Sequence, residues 1–335
     1  MDNYRDKLMV SAAPHAVSPQ NTSRVMATVL IALIPTFAVG VYQFGYRVLI
    51  LTAVCIASSV VFEYLFNKVT KRQQTIADLS AVLTGVLFAM NLPSSLPYWM
   101  AIVGCFVAIV VFKLLFGGIG QNLTNPAVTA RVFMFIAFAS DMTTWPIARG
   151  AKRAADLAPD AVTAATPLGE LSHGSAITAS NMDLFLGNVG GCLGEVSALA
   201  ILIGGIFLIW RKIITWHIPV SVLGTIFIVG LIWGATSESG MGALNGALFH
   251  MFAGGAMLGA FFCATDYVTS PTSSMGKIIY GIGIGLFTML IRVFASYPEG
   301  MSFAILLMNI LTVFIDRFCE KQYIKKYADE QGGKK

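Results

Sequence analysis

The sequence has few charged residues. Of its 335 residues only 12% are Asp, Glu, Lys or Arg, whereas 56% are hydrophobic and 32 are glycine. A soluble globular domain carries about 25% charged residues. The depletion excludes an ordinary soluble domain and indicates a polytopic membrane protein. The net charge of +5 is therefore expected on cytoplasmic loops, and we expect no nucleic-acid partner.

The patterns of common metal and redox sites are also missing. The five cysteines are dispersed, without a CxxC pair or a Cys/His spacing suited to zinc or an iron–sulfur cluster. The four histidines, His15, His173, His217 and His250, share no ligand spacing, and we take them as ordinary polar residues. We expect no disulfide and no metal site built by this chain alone.

Motifs for nucleotide-driven transport are missing as well. The chain has no P-loop, no G-x-G-x-x-G ahead of a helix and no nucleophile–base arrangement. Residues 1–24 contain no apolar run of the signal-peptide kind. We expect no cleaved leader and predict that the first spanning helix drives insertion.

Long apolar segments dominate the rest of the chain. A helix needs about 20 mainly apolar residues to cross a bilayer. Ten segments qualify: 25–44, 48–66, 76–92, 98–116, 126–141, 185–210, 213–233, 243–264, 276–295 and 301–318. The third and fifth are short and interrupted, and both can be partly re-entrant. The predicted fold class is all-α and polytopic, with about ten transmembrane helices.

Lys and Arg set the expected orientation. With the N-terminus inside, sixteen of them, Lys113 included, fall on inner loops and tails, against four on outer loops. Both termini are then cytoplasmic. The predicted organisation is a cytoplasmic segment 1–24, a first membrane repeat 25–141, an extracytoplasmic loop 142–184, a second membrane repeat 185–318 and a cytoplasmic tail 319–335.

The division into five plus five spans favours an inverted internal repeat, because an odd number of spans reverses the second half. GGIGQNLTNPAVTARVF (117–133) and FFCATDYVTSPTSSMGKIIYG (261–281) both place small residues, an acid or amide, Thr and Pro between two helices. Chance resemblance between two Gly/Pro loops is the alternative.

These two polar loops are candidate sites. One contains Asn122, Thr124, Asn125, Pro126 and Thr129; the other contains Asp266, Thr269, Ser270, Pro271, Thr272, Ser273 and Ser274. Helix capping alone would explain half of these residues. However, irregular polar backbone persists at membrane depth only where protein or water surrounds it. A ligand or cofactor role is therefore as well supported as capping.

Charged residues near spans are costly and usually face the bundle interior. They are Glu63, Asp78, Arg131, Glu195, Arg292 and Asp316. Glu63 and Asp316 lie near helix ends, from which their side chains can reach the membrane surface. Glu195 follows the glycine-rich run GNVGGCLG and can bind a cation, carry a proton or serve as a structural carboxylate.

The stretch PDAVTAATPLGEL (159–171) lies in the longest polar gap and carries Thr163 and Thr166. Considered alone it is a Thr-rich surface loop, and the residues by themselves do not distinguish the two threonines.

Several stretches together resemble the D subunits of Rnf complexes, the ion-translocating ferredoxin:NAD⁺ oxidoreductases. They are SPQNTSRVM (18–26), GGIGQNLTNPA (117–127), GNVGGCLGE (187–195), TDYVTSP (265–271) and IRVFASYPEGMSFAILLMNILTVFID (291–316). The family is related to the B subunits of sodium-pumping NADH:quinone reductases. The resemblance implies a urea-transporter-like fold of two inverted five-helix halves.

The resemblance also implies covalent FMN. In the family a threonine in the pattern Asp-x-x-[Ser/Thr]-Gly-Ala-Thr forms a phosphoester with FMN. The matching residues here are Asp160, Thr163, Ala164, Ala165 and Thr166, followed by Pro167 and Leu168, with Ala164 at the usual glycine. Thr166 is then the attachment residue.

A second, noncovalent flavin (riboflavin) is implied in the membrane part, near the two polar loops. Candidates for this flavin or for an ion pathway are Asn122, Asn125, Asp266, Thr269, Glu195 and Asp78.

The implied function is electron transfer between flavins and iron–sulfur centres, coupled to outward movement of Na⁺ or H⁺. The implied partners are the other Rnf proteins, namely the membrane-embedded A and E subunits, the flavin-carrying G subunit and the iron–sulfur B and C subunits, in a bacterial or archaeal cytoplasmic membrane. Ferredoxin and NAD⁺ would bind other subunits. Two alternatives stay open. One is a stand-alone solute channel or transporter on the same scaffold. The other is the quinone-reductase subunit, which the short N-terminal segment disfavours because that subunit is usually longer there.

Overall fold

The computed structural model describes residues 21–149, 163–164, 166–172, 179–237, 241–295 and 299–332. In this part of the chain the regular secondary structure is helical apart from one two-residue antiparallel ladder. Its strands are β1 (Trp145–Pro146) and β2 (Thr163–Ala164), with Trp145 opposite Ala164.

The first half contains five main helices. They are α1 (Thr22–Phe44), α2 (Arg47–Val69), α3 (Ser80–Met90), α4 (Tyr98–Phe106, continued as a π-helix Val107–Leu114) and α5 (Pro126–Ala137). A 3₁₀ turn Ile76–Asp78 precedes α3, and a short α6 (Ala139–Met142) follows α5.

The region that joins the halves contains α7 (Pro167–Ser172) and α8 (Asn181–Leu186). The second half consists of α9 (Ala198–Trp210), α10 (His217–Thr236), α11 (Ala243–Phe252), α12 (Ala256–Leu258, continued as a π-helix Gly259–Cys263), α13 (Ser274–Phe294) and α14 (Met301–Gly332).

Among the described residues, five helices are long and apolar enough to cross a membrane, or six if α11 and the bent-away α12 count as one span. This identifies a multi-pass membrane protein. Helices α3, α4, α5 and α9 are apolar but shorter. The 11 residues of α3 extend only about 17 Å, against a hydrocarbon core of about 30 Å. The count of ten spans therefore stays a prediction.

The segment 185–210 is not the continuous span that the sequence predicts. Helix α8 ends at Leu186. The next residue, Gly187, has a φ of 102° in the left-handed region, and α9 begins only at Ala198. The glycine-rich run between them bonds to the end of α3 instead, because the Gly194 amide donates to the Met90 carbonyl at 2.7 Å. A helix here would forfeit these contacts.

The segment 243–264 is also broken. Helices α11 and α12 meet at 64° across residues 253–255. Gly254 has a φ of 63°, a conformation that residues with a side chain rarely adopt. The bend brings α12 against the glycine-rich run, because a Cβ at Gly194 would overlap the Leu258 side chain.

Close helix crossings organise the core. Helix α1 packs on α9, while α10 packs on both α11 and α13. All five cysteines are buried and free, as small core residues.

Candidate functional site

A large cavity of about 110 Å³ lies at the N-terminal end of α1. Its walls come from Val25 and Val29 of α1, Phe261 and Phe262 of the α12 π-helix, and the two polar loops before α5 and after α12. Most of the lining is apolar, and a small set of polar groups interrupts it. This is the usual composition of a site for a small organic ligand.

The structure brings the two polar loops together. The Asn125 side chain accepts hydrogen bonds from the amides of Ala127 and Val128, and it thereby caps α5. Its Nδ2 donates to the Cys263 carbonyl at 3.1 Å, across to the other loop. Asn125 is thus both a helix cap and a cavity residue, and the two sequence interpretations are compatible.

Asn122 and Asp266 also line this cavity. The Oδ1 atom of Asn122 is buried and has no hydrogen-bond partner within the described residues. Thr269 is buried behind Asp266, to which its hydroxyl donates at 3.4 Å.

A buried ion pair lies beside this cavity, and its lysine belongs to the lining. The Lys113 ammonium, 2% exposed, donates to Glu63 Oε2 at 2.8 Å and to Ser80 Oγ at 2.7 Å. Glu63 is fully buried and also accepts from Thr75. Two expectations are therefore wrong: Lys113 does not lie in an inner loop, and Glu63 does not reach the surface. Each is held inside by its partner, because an unpaired buried charge is costly.

Asp78 and Asp316 lie outside the cavity wall. Asp78 ends the 3₁₀ turn, half-buried and within electrostatic range of Lys113. Asp316 accepts from the Thr272 amide at 3.2 Å, so it stabilises the loop before α13.

Thr166 lies at the start of α7 and is 6% exposed. Its hydroxyl oxygen accepts from the Gly169 amide at 3.0 Å, and its carbonyl accepts from the Glu170 amide at 2.8 Å. Pro167 is the first helical residue, where its missing N–H costs nothing. Leu168 packs in a small apolar cluster with Leu184. The sequence around Thr166 thus forms a capped, anchored turn.

A small cavity of about 10 Å³ adjoins Thr166. Two carboxylates, Glu195 and Glu299, line it together with three glycines, Gly190, Gly191 and Gly254. This is the room of about one water molecule. Glu195, a predicted site residue, therefore lies with Thr166 and apart from the polar loops.

Arg131 connects the two carboxylates. It is 1% exposed, and its Nη2 contacts Glu195 Oε1 at 2.6 Å and also Glu299 Oε2. Its Nη1 donates to Asn91 Oδ1 at 2.7 Å. The cluster joins α5, the glycine-rich run and the segment before α14.

Among the described residues, this cluster contains the only set of His, Cys, Asp or Glu side chains close enough together to hold a metal ion. The donor atoms of Cys192, Glu195 and Glu299 lie within 4.8 Å of one another. Arg131 donates to all three, at 3.2 Å to Cys192 Sγ. A guanidinium thus takes the position that a cation would need, and we assign no metal to it.

Arg292 is the second buried guanidinium near Thr166. It donates to the carbonyls of His250 and Ala253, and so caps the C-terminal end of α11. Gly254 separates it from Leu168 of α7. Both ring nitrogens of His250 are buried without a partner in the described part of the chain.

The two cavities lie at opposite ends of α1. Val29 lines the large cavity, whereas Gly40 contacts the Leu193 carbonyl of the glycine-rich run. Their separation of 11 positions corresponds to about 16 Å along the helix. The predicted site residues therefore form two groups and not one.

Some predicted residues fall outside the described residues, namely Asp160, Ala165, His15 and His173. Thr163 is in β2, opposite Pro146. Lys113 and Glu299 belong to these sites but were not predicted to. A single lysine inside the apolar run VAIVVFKLLF was an available signal for the first, whereas Glu299 had none beyond its place in a resembling stretch.

Comparison with known proteins agrees with the family resemblance of the sequence. A family model described as "NQR2, RnfD, RnfE family" matches residues 9–325. The D subunit of the Na⁺-translocating ferredoxin:NAD⁺ oxidoreductase complex of Acetobacterium woodii is 45% identical over 318 residues, 94% of each chain. The D subunit of the proton-translocating complex of Clostridium ljungdahlii is 40% identical over 93% of this chain and 94% of that one. The D subunit of the ion-translocating oxidoreductase complex of Stutzerimonas stutzeri is 39% identical over 89% and 91%. This chain belongs to the NQR2, RnfD, RnfE family.

Proposed function

We propose that this chain is a membrane flavoprotein subunit of a complex that couples electron transfer from ferredoxin to NAD⁺ to the translocation of Na⁺ or H⁺. The observation that carries the proposal is the similarity over 94% of the chain to a relative named as the D subunit of such a complex. Ferredoxin and NAD⁺ would bind partner subunits, because no nucleotide motif occurs here. The partners are the A, B, C, E and G subunits of the complex, in a bacterial or archaeal cytoplasmic membrane.

The chain would carry FMN on Thr166. Its oxygen would become the ester oxygen, and such an oxygen can still accept from the Gly169 amide. Arg131 keeps Glu195 and Glu299 paired, which limits negative charge beside a phosphate. The small cavity has no room for a ring, so Thr166 acts as a tether. The flavin, when bound, supplies the redox chemistry, and the chain supplies placement and electrostatics.

The large cavity would hold the second, noncovalent flavin, riboflavin. Its apolar walls suit a flat ring, and Asn122, Asn125 and Asp266 offer polar contacts from the two loops. The candidates for ion coupling are Glu195, near Thr166, and Asp78 and Asp266, near the opposite end.

The fold that suits this function is a pair of inverted five-helix halves. Helix α1 of the first half packs on α9 of the second, and α5 packs on α14. In an inverted repeat, α1–α5 would correspond in order to α9, α10, the α11–α12 pair, α13 and α14. Equivalent helices, such as α1 with α9 and α5 with α14, are expected to meet at the two-fold axis that relates the halves. On this pairing, 117–133 and 261–281 are not equivalent segments.

The test of the flavin anchor is a pair of variants, Thr166→Asn and Thr163→Ala, expressed in a host that makes the flavin transferase. Asn is a good N-cap but cannot form a phosphoester, so Thr166→Asn preserves the turn and removes the attachment oxygen. We expect the purified wild type and Thr163→Ala to fluoresce on a denaturing gel, and Thr166→Asn to be dark.

Mass spectrometry of the peptide spanning 154–183 reports modification and site together. A dark wild-type chain from such a host would overturn the covalent flavin. Loss of the flavin in Thr163→Ala alone would move the attachment site to Thr163.

A further inference from the structure

Lys113 lines the large cavity, and two of its three N–H donors have an acceptor among the described residues. An ammonium group has three N–H donors. Two are directed at Glu63 and Ser80, at 2.8 and 2.7 Å. No protein acceptor for the third occurs in the part of the chain that the structure describes, although the residue lines the cavity and is 2% exposed. A buried donor of this kind calls for an acceptor on a ligand or on an ordered water.

Two other polar residues of the lining have the complementary character. The Asn122 Oδ1 is buried and unpartnered among the described residues, and Asp266 contributes a carboxylate to the same wall. Phe261 and Phe262 provide apolar surface within the cavity. The lining therefore combines a cationic donor, acceptors and apolar surface for a flat ring.

The position of Lys113 in the helix supports a role beyond packing. It lies in the π-helical part of α4, Val107–Leu114. π-helical turns are rare and frequently occur at functional sites. A lysine on an apolar helix is costly to bury, and an apolar side chain would fill the same volume more cheaply.

We infer that Lys113 is a positioning residue of the large cavity. Its ammonium group holds the electron-rich edge of a flat ring ligand, and Asn122 and Asp266 accept hydrogen bonds from the N–H groups of that ring. The inference rests on the proposed noncovalent flavin, whose ring has such edges. A cation close to the ring stabilises the reduced, more negative form relative to the oxidised form, and Glu63 offsets part of this effect.

The test uses the full chain with Thr166→Asn as background, so that the noncovalent flavin is its only flavin. Bound flavin is titrated spectroelectrochemically in this background and in Lys113→Met, Glu63→Gln and the double variant. We expect Lys113→Met to weaken the binding of the reduced flavin at least tenfold relative to the oxidised flavin. For a two-electron couple, a tenfold change lowers the midpoint potential by about 30 mV. Glu63→Gln should raise the potential, and the double variant should return it toward the background value.

Opposite shifts in the two single variants separate an electrostatic role from a merely structural one. The inference is overturned if Lys113→Met keeps its flavin at an unchanged potential, or if both single variants shift it in the same direction. Folding is checked by placing Lys113→Met in the chain with Thr166, where gel fluorescence reports the anchor at the other end of α1. A correctly folded Lys113→Met that binds no flavin supports the inference if Glu63→Gln retains it.

The failure of the second-flavin proposal has a different signature. Acid denaturation of the wild-type chain would then release no flavin, while the covalent one stays on the polypeptide. That result would overturn the ligand named here, whatever the variants do.

Discussion

At the scale of single residues, the charge balance around Arg131 is the main energetic feature. One guanidinium contacts two buried carboxylates, Glu195 and Glu299. The excess negative charge is offset by Arg292, which lies within electrostatic range of Glu299. Each group is therefore tolerated only because the others are present, and the removal of one leaves a buried charge without compensation.

Substitution of Arg131 tests this interdependence. Arg131→Met leaves Glu195 and Glu299 buried without their donor, and we expect a loss of about 3–5 kcal/mol of stability. The measurement is thermal unfolding of the purified protein in detergent. Arg211→Met, at an exposed position after α9, is the control and should change stability by less than about 0.5 kcal/mol. Equal melting temperatures for the two variants would refute the account.

At the scale of the elements, glycines determine how closely two helices pack. A Cβ at Gly204 of α9 would overlap the Ala32 carbonyl oxygen of α1. The two backbones therefore touch at this crossing, as small residues allow in membrane helices. Gly224 of α10, in contrast, has no atom within 4 Å of such a Cβ.

These two glycines form a matched pair for measurement. Gly204→Ala forces α1 and α9 apart and should cost about 1–3 kcal/mol, the usual range for overpacking. Gly224→Ala should be neutral or slightly stabilising, because alanine is the better helix former. Unfolding in mild detergent compares them, and a Gly204→Ala variant as stable as Gly224→Ala would contradict the crossing.

Helix α8 carries a capping box outside the spans. The Ser180 hydroxyl donates to Asp183 Oδ2 at 2.6 Å and accepts from the Asp183 amide at 3.2 Å. The hydrogen bond from Ser180 holds the pKa of Asp183 below its ordinary value. The charged carboxylate therefore stabilises the fold above the unfolded pKa of about 4, and this contribution is lost as the pH falls through the folded pKa.

Ser180→Ala should cost about 1 kcal/mol at neutral pH. Because the variant also loses the interaction that lowers the Asp183 pKa, its stability should fall less than that of the wild type between about pH 6 and pH 3. Unfolding measured at both pH values checks this. An identical acid dependence in both proteins would show that the box does not contribute.

At the scale of the whole molecule, two polar sites lie at opposite ends of a bundle with an apolar outer surface. Ile34, Leu65 and Phe294 are among its exposed apolar side chains, as expected for contact with lipid or neighbouring subunits. An electron path and an ion path through such a bundle would both have to connect its two faces. The arrangement fits the proposed function, in which one flavin belongs to each end.

The predicted orientation can be measured on α2. Arg47 and Lys68 are both exposed and lie about 32 Å apart along the helix. The native cysteines are buried, so a membrane-impermeant maleimide should give a low background. We expect Arg47→Cys to react in intact cells and Lys68→Cys to react only after permeabilisation. The reverse pattern would invert the topology.

The sequence by itself determined the class of protein and the identity of its polar segments. Low charge and long apolar runs were sufficient for a polytopic membrane protein, and the Asn125–Pro126 cap could be predicted because capping is local. The resemblance selected Thr166 for the anchor, and its placement at the start of α7 is compatible with that prediction.

Only the tertiary structure decided which polar groups meet. Hydropathy predicted one helix over 185–210, yet the glycine-rich run bonds to the end of α3, more than 90 residues away in sequence. Glu195 joined Arg131 and Glu299, and Lys113 joined Glu63, through contacts between distant segments. A side chain's charge is written in the sequence, but whether that charge is buried, and what balances it there, depends on packing that no local pattern encodes.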